Sequence, residues 1–197
     1  MTEIYIVRHG QTNSNLRNAC IGVTDIPLNE EGIRQSHEVF KRLSGIEFDV
    51  IYTSPLSRAV DTVAPYMKEN PTTPLHMSYA FIERDFGEWE DLNYAEIREK
   101  DPLLYEKWQS DVAAFKLPGG ESSNEVRERV DKALAKILSR HEGKRILIVT
   151  HLLTARHIIA SLLGLEKEKD IIFSLDNGSV AKVEIRKGKG VLTLLNG

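Results

Sequence analysis

Short apolar runs recur along the chain at intervals that suit buried strands. Residues 4–7, 48–53 and 145–149 are rich in β-branched or aromatic side chains, and each run is too short for a buried helix. Near the end, residues 180–185 and 191–195 flank a Lys-Gly-Lys-Gly segment. This arrangement is typical of two strands joined by a turn, so we expect a closing hairpin there.

Segments with an apolar residue at every third or fourth position separate these runs, and they predict helices. Asn29 is a suitable N-cap for the first of them, and a second helix follows from about residue 55. Ser122 and Glu125 have the spacing of a capping box and predict the start of a third helix. Residues 152–163 are almost all apolar, which predicts a buried helix.

Residues 71–120 are less regular and hold most of the aromatic side chains. We interpret this stretch as a strand near residues 75–78, a loop, and short helices that cover the main sheet. Strands that alternate with helices predict an α/β fold, here a three-layer α/β/α sandwich with a mostly parallel sheet and a small helical cap region. A chain of 197 residues is most simply one domain, residues 1–197, with a cap-like insertion at about 71–120.

Charge and cysteine content narrow the function. The 26 basic and 29 acidic residues give a net charge of −3, which argues against a nucleic-acid partner. Cys20 is the only cysteine, so neither an intrachain disulfide nor a cysteine-based zinc site can form, and the histidines show no metal-ligand pattern. Neither a signal-peptide pattern nor a long apolar run is visible. We therefore expect a cytoplasmic protein, monomeric or homodimeric, without metal or membrane contact.

Arginine and histidine residues follow the predicted strands. Arg8 and His9 come directly after the first strand. Arg58 lies shortly after the second, and His151 directly after the third. Ligands of such sheets bind beyond the carboxyl ends of the strands. Arginine offers a fork of donors for phosphate oxygens, and neutral histidine offers a nucleophilic nitrogen. The pattern predicts a phosphoryl-transfer site, with a proton donor among the acidic residues of 83–90.

Five blocks resemble the histidine phosphatase (phosphoglycerate mutase-like) superfamily, in the family's order and over nearly the whole chain. They are Arg8-His9-Gly10-Gln11-Thr12, Gly22-x-x-Asp25-x-Pro27-Leu28-x-x-x-Gly32, Ser54-x-Leu56-x-Arg58-Ala59-x-x-Thr62, Glu83-x-x-Phe86-Gly87-x-Trp89-Glu90 and Pro118-Gly119-Gly120-Glu121-Ser122. Two positions depart from the family pattern. Asp61 stands where glutamine is common, and Leu152 stands where glycine often follows the second histidine.

The resemblance implies three catalytic residues. His9 is the nucleophile that becomes phosphohistidine. Glu83 protonates the departing alcohol and then activates the water that hydrolyses the intermediate. His151 helps to hold the transferring phosphoryl group, as a cation or through hydrogen bonds.

The resemblance also implies a set of phosphate- or substrate-binding residues. Arg8 and Arg58 hold the phosphoryl group, and Asn15 reaches one of its oxygens. Gly22 belongs to a matching block that we assign to this binding set. The backbone N–H of Leu152, at the start of a helix, is a further candidate donor to phosphate.

Three functions stay open at this point. The first is a phosphomonoesterase that acts on a small phosphorylated metabolite without a cofactor. The second is a phosphoglycerate mutase, in which an arginine after the acid, here Arg84, binds a substrate carboxylate; a solvated loop arginine explains Arg84 equally well. The chain is shorter than the cofactor-dependent mutases, which favours the phosphatase. The third is a non-catalytic phosphate-binding domain, which is disfavoured because both His9 and Glu83 are present.

Overall fold

A computed structural model describes residues 1–166 and 172–197 of the chain. Six strands form a single sheet in the order β3-β2-β4-β1-β5-β6. Their bounds are Thr2–Arg8 (β1), Val50–Thr53 (β2), Leu75–Met77 (β3), Arg145–Thr150 (β4), Val180–Arg186 (β5) and Lys189–Leu194 (β6). The pairs β3-β2, β2-β4 and β4-β1 are parallel, whereas β5 and β6 run antiparallel to their neighbours. The prediction of a mostly parallel sheet is therefore confirmed.

Seven α-helices lie in the described residues, together with short 3₁₀ turns at Tyr79–Phe81 and Gly87–Trp89. Their bounds are Asn13–Leu16 (α1), Glu30–Leu43 (α2), Ser57–Glu69 (α3), Tyr94–Lys100 (α4), Pro102–Ser110 (α5), Ser123–Arg140 (α6) and Leu152–Leu162 (α7). The predicted N-cap Asn29 accepts from the Gly32 amide at 2.8 Å. Ser122 and Glu125 form the predicted capping box at the start of α6. None of the helices described is long and apolar enough to cross a bilayer.

The two faces of the sheet carry separate apolar cores. Ile4 and Ile6 of β1 belong to the core that also contains residues of α6 and α7. Tyr5 and Val7 belong to the core that contains residues of α2 and α3. Because successive side chains of a strand point to opposite faces, β1 supplies both cores. Helices on both faces make the three-layer α/β/α sandwich that the sequence predicts.

A third, smaller cluster forms the helical cap. Trp89, Ile97 and Leu117 are buried in it together with Cys20, and α5 adds the partly buried aromatic residues Tyr105 and Trp108. Cys20 comes from the loop after α1 and exchanges backbone hydrogen bonds with the 91–92 segment, each 2.9 Å long. This pairing fastens the loop after α1 to the cap, so the cap forms one side of the cavity described below.

The closing hairpin has a shorter turn than the Lys-Gly-Lys-Gly segment predicts. Its turn contains only Lys187 and Gly188, between β5 and β6. Both residues have positive φ, 50° and 76°, the geometry of a type I′ turn, whose twist matches that of two antiparallel strands. The hairpin also places the start of β5 beside the end of β1, where the candidate site lies.

Candidate active site

The carboxyl ends of β1, β2 and β4 meet at one edge of the sheet, as predicted. The amide of His9 donates to the Thr150 carbonyl at 2.9 Å, and the amide of Ser54 donates to the Val149 carbonyl at 3.0 Å. A cavity of about 410 Å³ opens at this edge. One end of it, called the phosphoryl end here, is lined by Arg8, His9, Asn15, Arg58 and Glu83.

His9 is held as a neutral imidazole with one free lone pair. Its Nδ1 lies 2.7 Å from the Gly10 carbonyl oxygen. A carbonyl only accepts, so Nδ1 carries the hydrogen and Nε2 carries the lone pair. Burial of the ring and the positive charges of Arg58 and Arg8 hold the pKa of His9 well below its usual value. The side chain is therefore an unprotonated nucleophile at neutral pH.

The backbone at Gly10 leaves no room for a side chain. A Cβ at this position would lie 2.5 Å from the Gly32 carbonyl oxygen at the start of α2. The Gly10 amide donates to Thr62 Oγ1 at 2.9 Å, and that hydroxyl donates to the Arg58 carbonyl at 2.6 Å. These contacts fix the nucleophile loop against both α2 and α3.

His151 lies behind His9 and is fully buried, with ring centroids 5.0 Å apart. Its Nδ1 accepts from Arg58 Nε at 3.2 Å, and its Nε2 lies 2.8 Å from Ser54 Oγ. Arginine Nε is always a donor, so Nδ1 must be unprotonated. Burial and the charge of Arg58 also lower the pKa of His151 well below its usual value. Of the two forms considered above, the structure favours the neutral, hydrogen-bonding His151 over the cationic one.

Arg8 and Arg58 bring two positive charges to the phosphoryl end. Arg58 is 1% exposed, and it donates to the carbonyls of Gly22 at 2.7 Å and Thr24 at 2.9 Å. Arg8 donates to the Leu175 carbonyl at 2.6 Å, and its Nε is buried without a partner. Burial lowers the pKa of Arg8 to about 10 and also lowers the pKa of Arg58.

Neither arginine forms an ion pair with a carboxylate within the described ranges. Taking a cation out of water is costly unless an anion or several acceptors compensate it. The carbonyl oxygens compensate part of this cost. Unused guanidinium hydrogens remain for an anion, and their planar geometry suits phosphate oxygens.

Glu83 lies at the amino-terminal end of α7, where its carboxylate accepts from three backbone amides. The donors are Arg84 at 3.0 Å, Leu153 at 3.0 Å and Thr154 at 3.3 Å. Arg129 holds the Glu83 carbonyl from the other side, at 2.9 Å. The acid is therefore fixed at the edge of the cavity, whose lining it shares with His9.

The neighbouring acidic side chains lie elsewhere. Asp85 accepts from the Gly87 amide at 2.8 Å, and Glu88 is exposed. Neither lines the cavity. Among the acids of residues 83–90 that the sequence leaves open, the geometry favours Glu83.

Two of the other predicted binding residues line the cavity. Asn15 Oδ1 accepts from the Thr12 amide at 2.9 Å and from Asn177 Nδ2 at 3.2 Å, which leaves its own amide group for a ligand. Leu152 also lines the cavity, at the first position of α7. The amides of the next two residues serve Glu83, so an anion-binding role at this helix end falls to Leu152 alone.

Gly22 and Arg84 do not line the cavity, which corrects the expectation of direct substrate contact. Gly22 acts through its carbonyl, which holds Arg58. The Arg84 guanidinium is 3% exposed and donates to the carbonyls of Glu121 at 2.8 Å and Phe115 at 3.0 Å. Packing within the cap holds this arginine outside the cavity lining, so it is not a solvated loop residue.

Glu90, which the sequence offers only as one acidic residue among 83–90 and as the end of a motif, organises the loop that holds Arg58. Its Oε1 accepts from the amides of Gly22 at 2.9 Å, Val23 at 3.3 Å and Phe86 at 3.0 Å, and its Oε2 accepts from Thr24 at 3.3 Å. The carbonyls of Gly22 and Thr24 in turn bind Arg58. Its position in the sequence indicates a role at the site, because Glu90 is the last residue of the motif that begins with Glu83.

Asn177 was overlooked. Its Nδ2 donates to the His9 carbonyl at 3.1 Å, and it lines the cavity. It precedes β5, and because β5 is antiparallel to β1, a residue before β5 lies beside the residues after β1. Because Asn177 precedes a strand, the pattern of polar residues after strands does not reveal it.

Comparison with known proteins places this geometry in a family. The model of the histidine phosphatase superfamily (branch 1) matches residues 4–197, so the chain belongs to that superfamily. It is 30% identical over 196 residues to phosphoserine phosphatase 1 of Hydrogenobacter thermophilus, covering 100% of this chain and 92% of the relative. It is 26% identical to the adenosylcobalamin/alpha-ribazole phosphatase of Escherichia coli, covering 98% and 95%.

Solved structures agree with this assignment. The alpha-ribazole phosphatase of Shigella flexneri has a TM-score of 0.93 at 27% identity, with 99% of this chain and 96% of that chain covered. The phosphoserine phosphatase of Entamoeba histolytica, solved with 3-phosphoglyceric acid, has a TM-score of 0.83 at 30% identity, with 100% and 98% covered. The chain is a phosphomonoesterase of the histidine phosphatase superfamily.

Proposed function

We propose that this enzyme hydrolyses a small phosphomonoester through a phosphohistidine formed on His9 Nε2. One observation carries the assignment of the nucleophile: the hydrogen bond from Nδ1 to the Gly10 carbonyl leaves the lone pair on Nε2, beside two buried arginines that lack a carboxylate partner in the described chain. A neutral nucleophile next to an anion site can attack a bound phosphoryl group without first losing a proton.

In the first half of the reaction, Arg8, Arg58 and Asn15 bind the phosphoryl oxygens. His9 Nε2 forms a bond to phosphorus while the bond to the leaving oxygen breaks. Glu83 transfers its proton to that oxygen, so a neutral alcohol departs. The arginines stabilise the charge that develops on the phosphoryl oxygens, which is the main requirement of phosphoryl transfer.

In the second half, the Glu83 carboxylate takes a proton from water, whose oxygen attacks phosphorus. The phosphorus–nitrogen bond breaks, and its electron pair returns to His9 Nε2. Throughout both halves Nδ1 keeps its hydrogen bond to the Gly10 carbonyl, which stabilises the ring while it is phosphorylated. Inorganic phosphate then leaves, and Glu83 is again protonated for the next cycle.

Hydrolysis is favoured over mutase activity by the position of Arg84. A mutase must rebind a carboxylate-bearing product, and the arginine expected for that task is bonded to the carbonyls of Glu121 and Phe115. The presence of both His9 and Glu83 at the cavity disfavours a non-catalytic domain. We further propose that the partner is a small cytoplasmic metabolite and that the chain works as a monomer or homodimer.

The test is rapid-quench trapping with p-nitrophenyl phosphate that carries a radiolabelled phosphoryl group, in the presence of EDTA. The wild-type protein is expected to take up an acid-labile, alkali-stable label, as a phosphoramidate does. His9→Ala should take up none and should keep its circular dichroism spectrum, whereas the control His37→Ala, on the exposed face of α2, should label normally. An acid-stable label, or a label that persists in His9→Ala, contradicts the proposal.

A further inference from the structure

The cavity continues beyond the phosphoryl end into a space whose side chains do not serve the chemistry. We call its apolar lining the far wall, which consists of Ala19, Cys20, Ile21, Phe86, Tyr94 and Leu152. Asn18 and Asn177 are the neutral polar residues beside it. This is the part of the cavity that would surround the alcohol portion of a bound monoester.

The far wall is uncharged at physiological pH. Burial raises the pKa of the Cys20 thiol to about 11, and burial also raises the pKa of the Tyr94 hydroxyl above its usual value. Among the described residues that line the cavity, the cationic ones are Arg8 and Arg58, both at the phosphoryl end. A substrate group that reaches the far wall therefore meets apolar surface and neutral hydrogen-bonding groups.

The arginines nearest to the far wall in sequence are bonded to other groups. Arg84 packs over the Phe86 ring, 5.9 Å from its centroid, and serves the carbonyls of Glu121 and Phe115. Arg17 pairs with Asp91 at 2.7 Å on the surface. Neither lines the cavity.

A substrate carboxylate at the far wall would thus lack a cationic partner among the described lining residues. Burying an unpaired charge is costly. An uncharged alcohol does not meet this penalty. The volume of about 410 Å³ also exceeds what a phosphoryl group alone requires, since whole drug-sized ligands occupy pockets of about 300–1,000 Å³.

We propose that this site prefers monoesters of uncharged alcohols that carry an apolar ring, such as nucleoside 5′-phosphates, over carboxylate-bearing monoesters such as phosphoserine and phosphoglycerate. The inference rests on the proposed function, because it assumes that the phosphoryl group is bound at His9. The two aromatic members of the far wall supply the surface for such a ring. Tyr94 is itself fixed by stacking on Trp108, with centroids 5.1 Å apart.

Two matched pairs of substrates test the proposal. Glycerol 3-phosphate and 3-phosphoglycerate differ only in whether one end is a hydroxymethyl group or a carboxylate. Ribose 5-phosphate and adenosine 5′-monophosphate differ chiefly in the apolar ring system. We expect kcat/KM to be higher for glycerol 3-phosphate than for 3-phosphoglycerate by about tenfold or more. We expect the nucleotide to be hydrolysed faster than the sugar phosphate.

A charge introduced at the far wall provides the matched variant. Ile21→Lys places a cation in the cavity and should raise the ratio of 3-phosphoglycerate to glycerol 3-phosphate hydrolysis several-fold. Leu103→Lys makes the same charge change on the exposed side of α5 and should leave the ratio unchanged. If Ile21→Lys fails to fold, the wild-type ratios decide alone.

Hydrolysis of p-nitrophenyl phosphate separates the possible failures. If the wild type hydrolyses it but prefers 3-phosphoglycerate to glycerol 3-phosphate, the substrate inference is overturned and the proposed chemistry stands. If Arg84→Met then loses the preference for 3-phosphoglycerate, Arg84 is the residue that binds the substrate carboxylate. If p-nitrophenyl phosphate is not hydrolysed at all, the proposed function fails, and this inference fails with it.

Discussion

The Nε of Arg58 donates to Nδ1 of His151 over 3.2 Å, so the side chains that follow β2 and β4 are joined in one hydrogen-bonded unit. The same guanidinium is held by the carbonyls of Gly22 and Thr24. Every nitrogen of Arg58 therefore has a protein partner before substrate arrives. The two terminal nitrogens still carry hydrogens for an anion, which makes the donor set preorganised.

Lysine cannot reproduce this arrangement, because it is a point charge without the planar fork. Arg58→Lys and Arg8→Lys should each lower kcat/KM for p-nitrophenyl phosphate by about 10²–10³-fold, the usual cost of one preorganised donor. The control Arg140→Lys, at the exposed end of α6, should be as active as the wild type. Near wild-type rates in both active-site variants would show that the fork geometry is unimportant.

Replacement of the acid should have an effect that depends on the leaving group. Alkoxides must be protonated to leave, whereas p-nitrophenolate leaves without a proton. Glu83→Gln should therefore slow phosphoenzyme formation from an alkyl phosphate about 10²–10⁴-fold more than from p-nitrophenyl phosphate. The measurement is single-turnover formation of phosphohistidine, because its hydrolysis also uses Glu83.

Asp85→Asn and Glu88→Gln are the matched controls for the acid, since both lie in the same segment and outside the cavity. Neither should show a dependence on the leaving group. If one of them shows a dependence on the leaving group, and Glu83→Gln slows both substrates equally, then that residue and not Glu83 is the general acid.

Glu90 should act as a positioning residue for Arg58. Glu90→Gln replaces one of two acceptor oxygens with a donor, so the amides of Gly22, Val23 and Thr24 lose part of their partner. Hydrogen bonds to a charged group contribute roughly 1.5–3 kcal/mol each, and we expect a loss of stability of about that size. The inhibition constant of inorganic phosphate should rise as well, which a purely structural role would not cause.

A double-mutant cycle separates this role from general loosening. Glu90→Gln combined with Arg58→Lys should cost less than the sum of the two changes, because both disturb the same phosphate contact. Glu88→Gln serves as the control, since it removes a carboxylate from an exposed position of the same segment. Full additivity, or an unchanged inhibition constant in Glu90→Gln, would limit Glu90 to a structural role.

Stability should fall as the pH drops below about 6.5. Buried His9 and His151 have pKa values well below that of an exposed histidine, so they stay neutral in the folded protein while the unfolded chain takes up protons. Protons then favour unfolding, by at most about 1.4 kcal/mol per pH unit for each group. Below the folded-state pKa values the slope contributed by these histidines disappears.

Urea unfolding at pH 7.5 and 5.5 measures this effect. His9→Gln removes one titrating group and should reduce the loss of unfolding free energy between the two pH values. His37→Gln, on the exposed face of α2, should leave that loss unchanged. Equal losses in the wild type and in His9→Gln would contradict the buried neutral state of His9.

The sequence predicted the phosphoryl end well because the sheet itself assembles it. Three parallel strands end at one edge, which brings Arg8, His9 and His151 together there, and Arg58 follows β2 after a short loop. Strand bounds were also close to those expected, since buried runs of β-branched residues have few alternatives. The placement of the acid depended on family resemblance, because Glu83 lies in a loop without periodicity.

The hydrogen bonds of Glu90 and Arg84 could not be predicted from the sequence, for a physical reason. Glu90 binds backbone amides, which every residue possesses, so no partner is visible in the sequence. Arg84 could equally have faced the cavity, and only the packed cap decides that it bonds to the carbonyls of Phe115 and Glu121. The single-domain assignment with an insertion at about residues 71–120 stays a prediction.

The two ends of the cavity are built from different parts of the chain. Strand ends and the start of α7 fix the groups that make and break bonds, whereas Cys20 and Tyr94 belong to a loop and a helix that are tied to each other in the cap. Substitutions in the cap can therefore change which alcohol fits without moving the nucleophile or the acid. This division makes the scaffold a practical starting point for redesign, in which new leaving groups are accommodated while the bond-breaking apparatus is left untouched.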